Sequence, residues 1–144
     1  MVIRNNMKNK INNFKNLEVY RLANKLTLDI YELTADFPAE EKFSLVDQLK
    51  RAASSIGANI AEGFGRYHTK EYIKFLYVSR GSLMEVLHFL TLARDLQYIK
   101  METLNKFENE IKDLGVRINN LIRALSNKLI TRSHKDSQGV TDER

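Results

Sequence analysis

The chain of 144 residues has no cysteine, no tryptophan, a single proline and six glycines. Without cysteine there is no disulfide scaffold, no thiolate metal site and no cysteine nucleophile. The composition fits a reducing compartment. One proline argues against an all-β chain with frequent turns and favours long uninterrupted helices. No apolar run approaches the roughly 20 residues needed to span a bilayer. The amino-terminal MVIRNNMKNKINNFKN lacks the apolar centre of a secretory signal. A cytoplasmic protein without membrane association is therefore expected.

Apolar residues make up 43% of the chain and charged residues 28%, enough for one domain with an ordinary core. Against 18 acidic residues stand 23 lysines and arginines, a net charge of +5. That balance permits a polyanionic partner without requiring one. The charge is unevenly spread: +5 over residues 1–25, −4 over 26–62, +3 over 63–100 and +1 over 101–144.

Hydrophobic residues recur at the helical period of about 3.6 in four stretches. The first is expected from Phe14 to Ala35, with Val19, Leu22, Leu26, Ile30 and Leu33 on one stripe. Leu17, Tyr20, Leu28 and Tyr31 form a second arc, so this helix needs cover on two sides. Asp36-Phe37-Pro38 breaks it. The second helix begins near Ala39, or at Ser44 with Asp47 as a capping-box-like pair, and stops at Gly63-Phe64-Gly65. The third starts with Thr69 as N-cap and runs to about Gln97, with Tyr72, Phe75, Leu76, Leu83, Val86, Leu87 and Leu90 facing the core. The fourth covers about Met101 to Leu129, along a seam of Leu104, Phe107, Ile111, Leu114, Ile118, Leu121, Leu125 and Leu129. Short connections make neighbouring helices antiparallel. The fold class expected is all-α, an antiparallel up-down four-helix bundle over residues 14–130. A flexible basic lead-in occupies 1–13, and 131–144 form a flexible polar tail.

Six of the seven residues from Ala52 to Ala58 are Ala, Ser or Gly. Small residues allow close approach, either of another helix in the bundle or of a partner's backbone. Gly81, mid-helix and away from the core stripe, implies a close neighbour there too, since alanine is the better helix former. Gln48, Arg51, Ser55, Asn59 and Glu62 share one region of the second helix and could join Ser82 and Glu85 in a polar network, structural or functional.

Signals for catalysis are poor. Glu85 and His88 have E-x-x-H spacing, but a di-iron bundle needs two such motifs and two further carboxylates. A metal enzyme using Glu62, Glu85 and His88 is the least favoured reading. Gly63-Phe64-Gly65 follows a helix rather than a strand and lacks a third glycine, so it is no dinucleotide fingerprint. No enzyme activity, metal or cofactor is expected. Nucleic-acid binding has more support. Arg66, Lys70 and Lys74 succeed one another at intervals of four, with Tyr67 and Tyr77 nearby, and Lys15, Arg21 and Lys25 form a second basic group. Such side chains would contact phosphates in a salt-sensitive, sequence-tolerant way. A merely solvated charged face remains the alternative.

Three stretches carry a resemblance: Asn16-Leu17-x-Val19-Tyr20, Phe37-Pro38-x-x-Glu41-x-Phe43-x-Leu45-x-x-Gln48, and Arg51-Ala52-Ala53-x-Ser55-Ile56-x-x-Asn59-Ile60-Ala61-Glu62-Gly63. With Tyr72-x-x-Phe75-Leu76, Gly81-Ser82-x-x-Glu85 and Tyr98-Ile99, the chain resembles the four-helix bundle proteins encoded in intervening sequences of bacterial 23S rRNA genes. The similarity covers about residues 14–125. Gly57 departs from it, where members often have Pro. The resemblance implies a homo-oligomer, a pentameric ring, similar to the accessory variability protein of diversity-generating retroelements. That protein binds nucleic acid and a reverse transcriptase. RNA or DNA, a protein partner such as a reverse transcriptase, and further copies of the chain are thus the implied partners. No catalytic residues are implied.

Overall fold

The computed structural model describes residues 13–139. Among these, four α-helices account for the fold: α1 (Glu18–Thr34), α2 (Leu45–Phe64), α3 (Thr69–Asp95) and α4 (Met101–Gly139). No strand occurs among the described residues. Each of α1 and α3 packs against both α2 and α4, and α1 does not touch α3, so the two lie diagonally in a four-helix bundle. Contact pairs run in opposite senses at each interface. Gly63 of α2 meets Tyr72 and Phe75, whereas Ser55 meets Ser82. Glu18 of α1 pairs with Arg117, whereas Lys25 pairs with Glu110. One end of the bundle therefore gathers the start of α1, the end of α2, the start of α3 and the later part of α4.

The core follows the periodicity with small rotations. On α2, Leu45, Leu49, Ala52, Ile56 and Ile60 fall on one face and are buried, joined by Val46, Ala53, Gly57 and Gly63. On α1 the buried line is Val19, Ala23, Leu26, Ile30 and Thr34, with Leu22 and Leu33 half-buried at its edge. Thr34 is accommodated because its hydroxyl donates to the Ile30 carbonyl at 2.9 Å. On α4 the seam holds through Ile118, then moves from Leu121 to Ile122. Seven residues of a straight helix fall about 20° short of two full turns, so a strict seven-residue contact line drifts. Ser79, between Leu76 and Leu83 on the α3 line, is fully buried and donates to the Ile56 carbonyl at 2.9 Å.

The helix ends depart from the sequence expectations for local reasons. A separate 3-10 turn, Phe14–Asn16, precedes α1, held by the Asn13 side chain accepting from the Lys15 N–H at 3.0 Å. Leu17 is extended between turn and helix. Ser44 is the N-cap of α2, but no capping box forms. The Leu45 N–H is met at 3.2 Å by Glu41, and Asp47 instead pairs with Arg51 at 2.9 Å. His68, not Thr69, is the N-cap of α3, and its side chain makes no cap hydrogen bond. At the other end of α3, Tyr98 N–H bonds to Ala93 O and Gln97 N–H to Arg94 O, each at 2.9 Å. These are the two bonds of a Schellman motif, and Gln97 takes the left-handed φ of 63° that the motif requires.

The fourth helix does not stop near Leu129 as the periodicity suggests. α4 continues through Gly139 because nothing from Leu129 to Gln138 is Gly or Pro, though every residue from Ile130 to Gly139 is exposed. At about 1.5 Å per residue, its 39 residues extend about 58 Å, roughly twice the span of the 17-residue α1. The lead-in expected over 1–13, Asn13 apart, and residues 140–144 of the expected tail lie outside the described residues.

Candidate nucleic-acid interface

The two basic groups of the sequence lie on diagonal helices, yet they share one end of the bundle. Lys15 and Arg21 stand at the start of α1, while Arg66, Lys70 and Lys74 surround the start of α3. The end of α4 adds Arg123, Lys128, Arg132 and Lys135. Over residues 13–25, 57–80 and 117–139, which form this half, twelve basic and four acidic side chains give a net +8. The other half, residues 26–56 and 81–116, has seven basic and twelve acidic side chains, a net −5. Folding thus converts alternating charge along the chain into a dipolar distribution along the bundle.

The basic side chains are not equally free. Lys25 sits 3.0 Å from Asp29 and 3.6 Å from Glu110. The hydrogen bond to Asp29, and then the charge of Glu110, hold its pKa above the ordinary lysine value. Arg66 pairs with Glu62 at 2.9 Å and lies over the Phe75 ring at 4.8 Å. Arg117 bonds Asp113 at 3.0 Å and Glu18 at 2.6 Å, and the Asp113 bond leads in raising its pKa. Arg21 donates from Nε to the Lys15 carbonyl at 3.3 Å. Among the described residues, no ion pair engages Lys15, Lys70, Lys74 or Arg132. Of the six candidates, Lys25 and Arg66 are therefore partly neutralised, whereas Lys15, Lys70 and Lys74 retain an uncompensated charge.

The polar network forms only in part. Ser55 Oγ lies 3.0 Å from Ser82 Oγ, bridging α2 and α3. Asn59 donates from Nδ2 to both the carbonyl and the Oγ of Ser55, at 2.8 and 3.0 Å. Gln48, Arg51, Glu62 and Glu85 do not join this triad. Arg51 turns to Asp47, Glu62 to Arg66, and Gln48 and Glu85 are exposed. His88 is exposed as well. Among the described residues, no group of three or more histidines and carboxylates is placed to hold a metal ion. Thr27 makes a comparable bridge from α1, its Oγ1 lying 2.9 Å from both the Ala23 and Ala53 carbonyls. Where these hydroxyls link helices, they satisfy themselves on the bundle's own backbone and neighbours, which is packing chemistry. Tyr72, beside the α2–α3 turn, is shielded enough that burial pushes its pKa up to about 12.

Two features lay beyond the sequence reading. Arg132 and the neighbouring lysines of α4 join the basic end only because the helix extends past its expected stop. Tyr98, the first aromatic after α3, donates to Glu41 at 2.9 Å and packs against Phe37, tying the two loops at the opposite end together. The periodicity of either helix gives no hint of that contact.

The close neighbour expected at Gly81 is not supplied by the chain itself. Nothing lies within 4 Å of where its Cβ would be. Gly81 instead lines an open groove of about 490 Å³ between α3 and α4, with Tyr77, Met84, Gly115 and Val116. The second apolar arc of α1 is covered only in part: Leu17 and Tyr20 pack against the core, while Leu28 is 62% and Tyr31 48% exposed. No helix among the described residues is long and apolar enough to cross a membrane.

A family model described as 23S rRNA-intervening sequence protein matches residues 15–120. The crystal structure of a protein of unknown function from the S23 ribosomal protein family, from Bacteroides thetaiotaomicron, has a similar fold. It aligns with a TM-score of 0.68 and 24% identity, covering 73% of this chain and 95% of that one. At that identity the likeness speaks to the fold alone. No curated protein matches the chain.

Proposed function

Because the chain belongs to the 23S rRNA-intervening sequence protein family, we propose that it is a non-enzymatic, self-associating helical bundle that binds RNA through the basic end of the bundle. The observation that carries this reading is the axial separation of charge, +8 against −5, with Lys15, Lys70, Lys74 and Arg132 left without acidic partners among the described residues. Such an end attracts a phosphate backbone by counterion release and steers it away from the acidic end. Contacts of this kind position a nucleic acid and carry little sequence information.

Fluorescence anisotropy with a structured RNA tests the surface. Binding at low salt is expected to weaken steeply as salt rises. The Lys70→Ala/Lys74→Ala double variant is expected to lower affinity for every RNA alike and to make the slope of log K against log salt shallower by about 2. Absence of binding at low salt would remove this function, and an unchanged slope in the variant would show that the proposed surface is wrong.

Self-association rests on the uncovered apolar surface, Leu28 and Tyr31 on α1 and the groove around Gly81. These are two separate patches, one on α1 and one between α3 and α4, and exposed apolar patches mark contact surfaces. Light scattering of the purified protein is expected to report an oligomer, five copies being the number the resemblance implies. A monomer at micromolar concentration would sink this half of the proposal.

A second reading, a scaffold docking a protein such as a reverse transcriptase, is favoured by the same groove between α3 and α4. Capture of that partner after nuclease treatment would support it over the first.

A further inference from the structure

Tyr67 is 94% exposed, the most exposed large apolar side chain of the bundle, and it stands in the turn between α2 and α3 at the centre of the basic end. Among the described residues its one ring neighbour is His68, whose ring meets it edge-on with centroids 5.0 Å apart. The turn itself is held by two backbone hydrogen bonds, Gly65 N–H to Ala61 O and Arg66 N–H to Gly63 O. Tyr67 is thus presented from an ordered support without contributing to the core.

Beside the ring opens a cleft of about 670 Å³. Tyr67, His68, Lys70 and Glu71 form one wall, and Leu129 and Arg132 of the extended α4 form the other. Its size falls within the range of about 300–1,000 Å³ typical of small-ligand sites. The cleft combines an aromatic ring with free space, a short apolar wall at Leu129, and two cations without an ion pair among the described residues. A base with its attached phosphates needs this combination. In a duplex, bases are stacked on one another and offer no free face, so an exposed ring selects unpaired nucleotides.

We propose that this cleft lodges an unpaired nucleotide of a single strand or loop, its base stacked on Tyr67 and its flanking phosphates met by Lys70 and Arg132. The inference deepens the RNA-binding reading and rests on it. Recognition here is by stacking and charge, so it tolerates any base. Glu71 in the same wall bears the opposite charge, which disfavours crowding of phosphates at that side of the cleft and leaves Lys70 and Arg132 as the anionic contacts.

The test compares anisotropy of labelled single-stranded, loop-containing and blunt duplex RNA of equal length on the full chain, Tyr67→Ala and Tyr67→Phe. Tyr67→Ala is expected to weaken single-stranded and loop binding about tenfold and to leave duplex binding unchanged. Tyr67→Phe, which keeps the ring, is expected to match the native chain. Circular dichroism melting should be the same for all three, since the side chain packs on nothing in the core. If every RNA binds and Tyr67→Ala changes none of them, stacking at Tyr67 is refuted while the basic end stands. If no RNA binds at low salt, the RNA-binding function itself fails and takes this site with it. Loss of a nuclease-resistant protein complex in Tyr67→Ala, with RNA affinity unchanged, would assign the ring to a protein contact and overturn the proposal.

Discussion

Gly63→Ala is expected to destabilise the bundle by about 2 kcal/mol and to lower Tm by about 6 °C. A Cβ at this position would lie 2.8 Å from the Phe75 Cβ, 2.9 Å from the Tyr72 ring and 3.2 Å from the Tyr72 carbonyl. The first and last of these are anchored to the α3 backbone, so rotating a side chain cannot make room. The helices must separate locally, at a cost of about 1–3 kcal/mol for an overpacked site, partly offset by alanine's better helix propensity. The same change at Gly81 should act oppositely on the stability of the single bundle, raising it by up to about 1 kcal/mol, because nothing lies within 4 Å there. Thermal melts of the two variants measure the contrast. A Gly63→Ala protein that melts at or above the native temperature would show that α2 and α3 do not approach this closely.

Leu83→Ala should be costlier, about 3 kcal/mol, with Tm lower by about 10 °C. Leu83 is fully buried on α3, and its Cδ2 reaches within 3.6 Å of the Cβ position of Gly115 on α4. That glycine leaves no side chain to swing into a vacated volume, so the cavity persists and adds to the lost transfer energy. Urea unfolding provides the measurement. A loss below about 1 kcal/mol would mean that the α3–α4 contact collapses readily around the cavity.

Gly57, Gly63 and Gly81 show how one residue type takes different meanings once packing is known. In sequence, Gly57 belongs to a run of small residues, Gly63 marks a helix end, and Gly81 implies a close neighbour. In the structure Gly57 meets only ordinary contacts, with Tyr20 at 3.5 Å, whereas Gly63 lies inside α2 at its tightest crossing. Gly81 faces an open groove. Propensity is a property of one helix, but the need for a glycine is set by the helix opposite it. The same limit applies to Ser79, which occupies a core position that the spacing of Leu76 and Leu83 indicated. Its hydroxyl is tolerated there only because the Ile56 carbonyl lies within reach.

The polar network illustrates a further limit. Of the seven residues read from the sequence as one network, Ser55, Asn59 and Ser82 meet, because short side chains on facing helices can reach one another only at the contact line. Arg51 and Glu62 share the α2 region of that triad, but their long side chains reach a partner one turn away, and Glu85 of α3 is exposed. Exposed pairs of this kind contribute little to stability and do not define a site.

By itself, the sequence determined that the chain is helical, that Pro38 and the Gly63–Gly65 region separate its helices, and most of the residues that face inward. Hydrophobic period and backbone breakers are local and survive without knowledge of neighbours. The two basic groups were also visible, on the first and third helices. Only the tertiary structure decided that they belong to one surface. Reversal of direction at each turn brings the start of α1, the start of α3 and the extended end of α4 to the same end, and leaves the acidic stretch at the other. It also decided which charges count. Lys25 and Arg66 meet carboxylates that helix geometry places beside them, while Lys70 and Lys74 do not. Coulombic fields depend on distance in space, and distance in space is what a linear reading of charge leaves out.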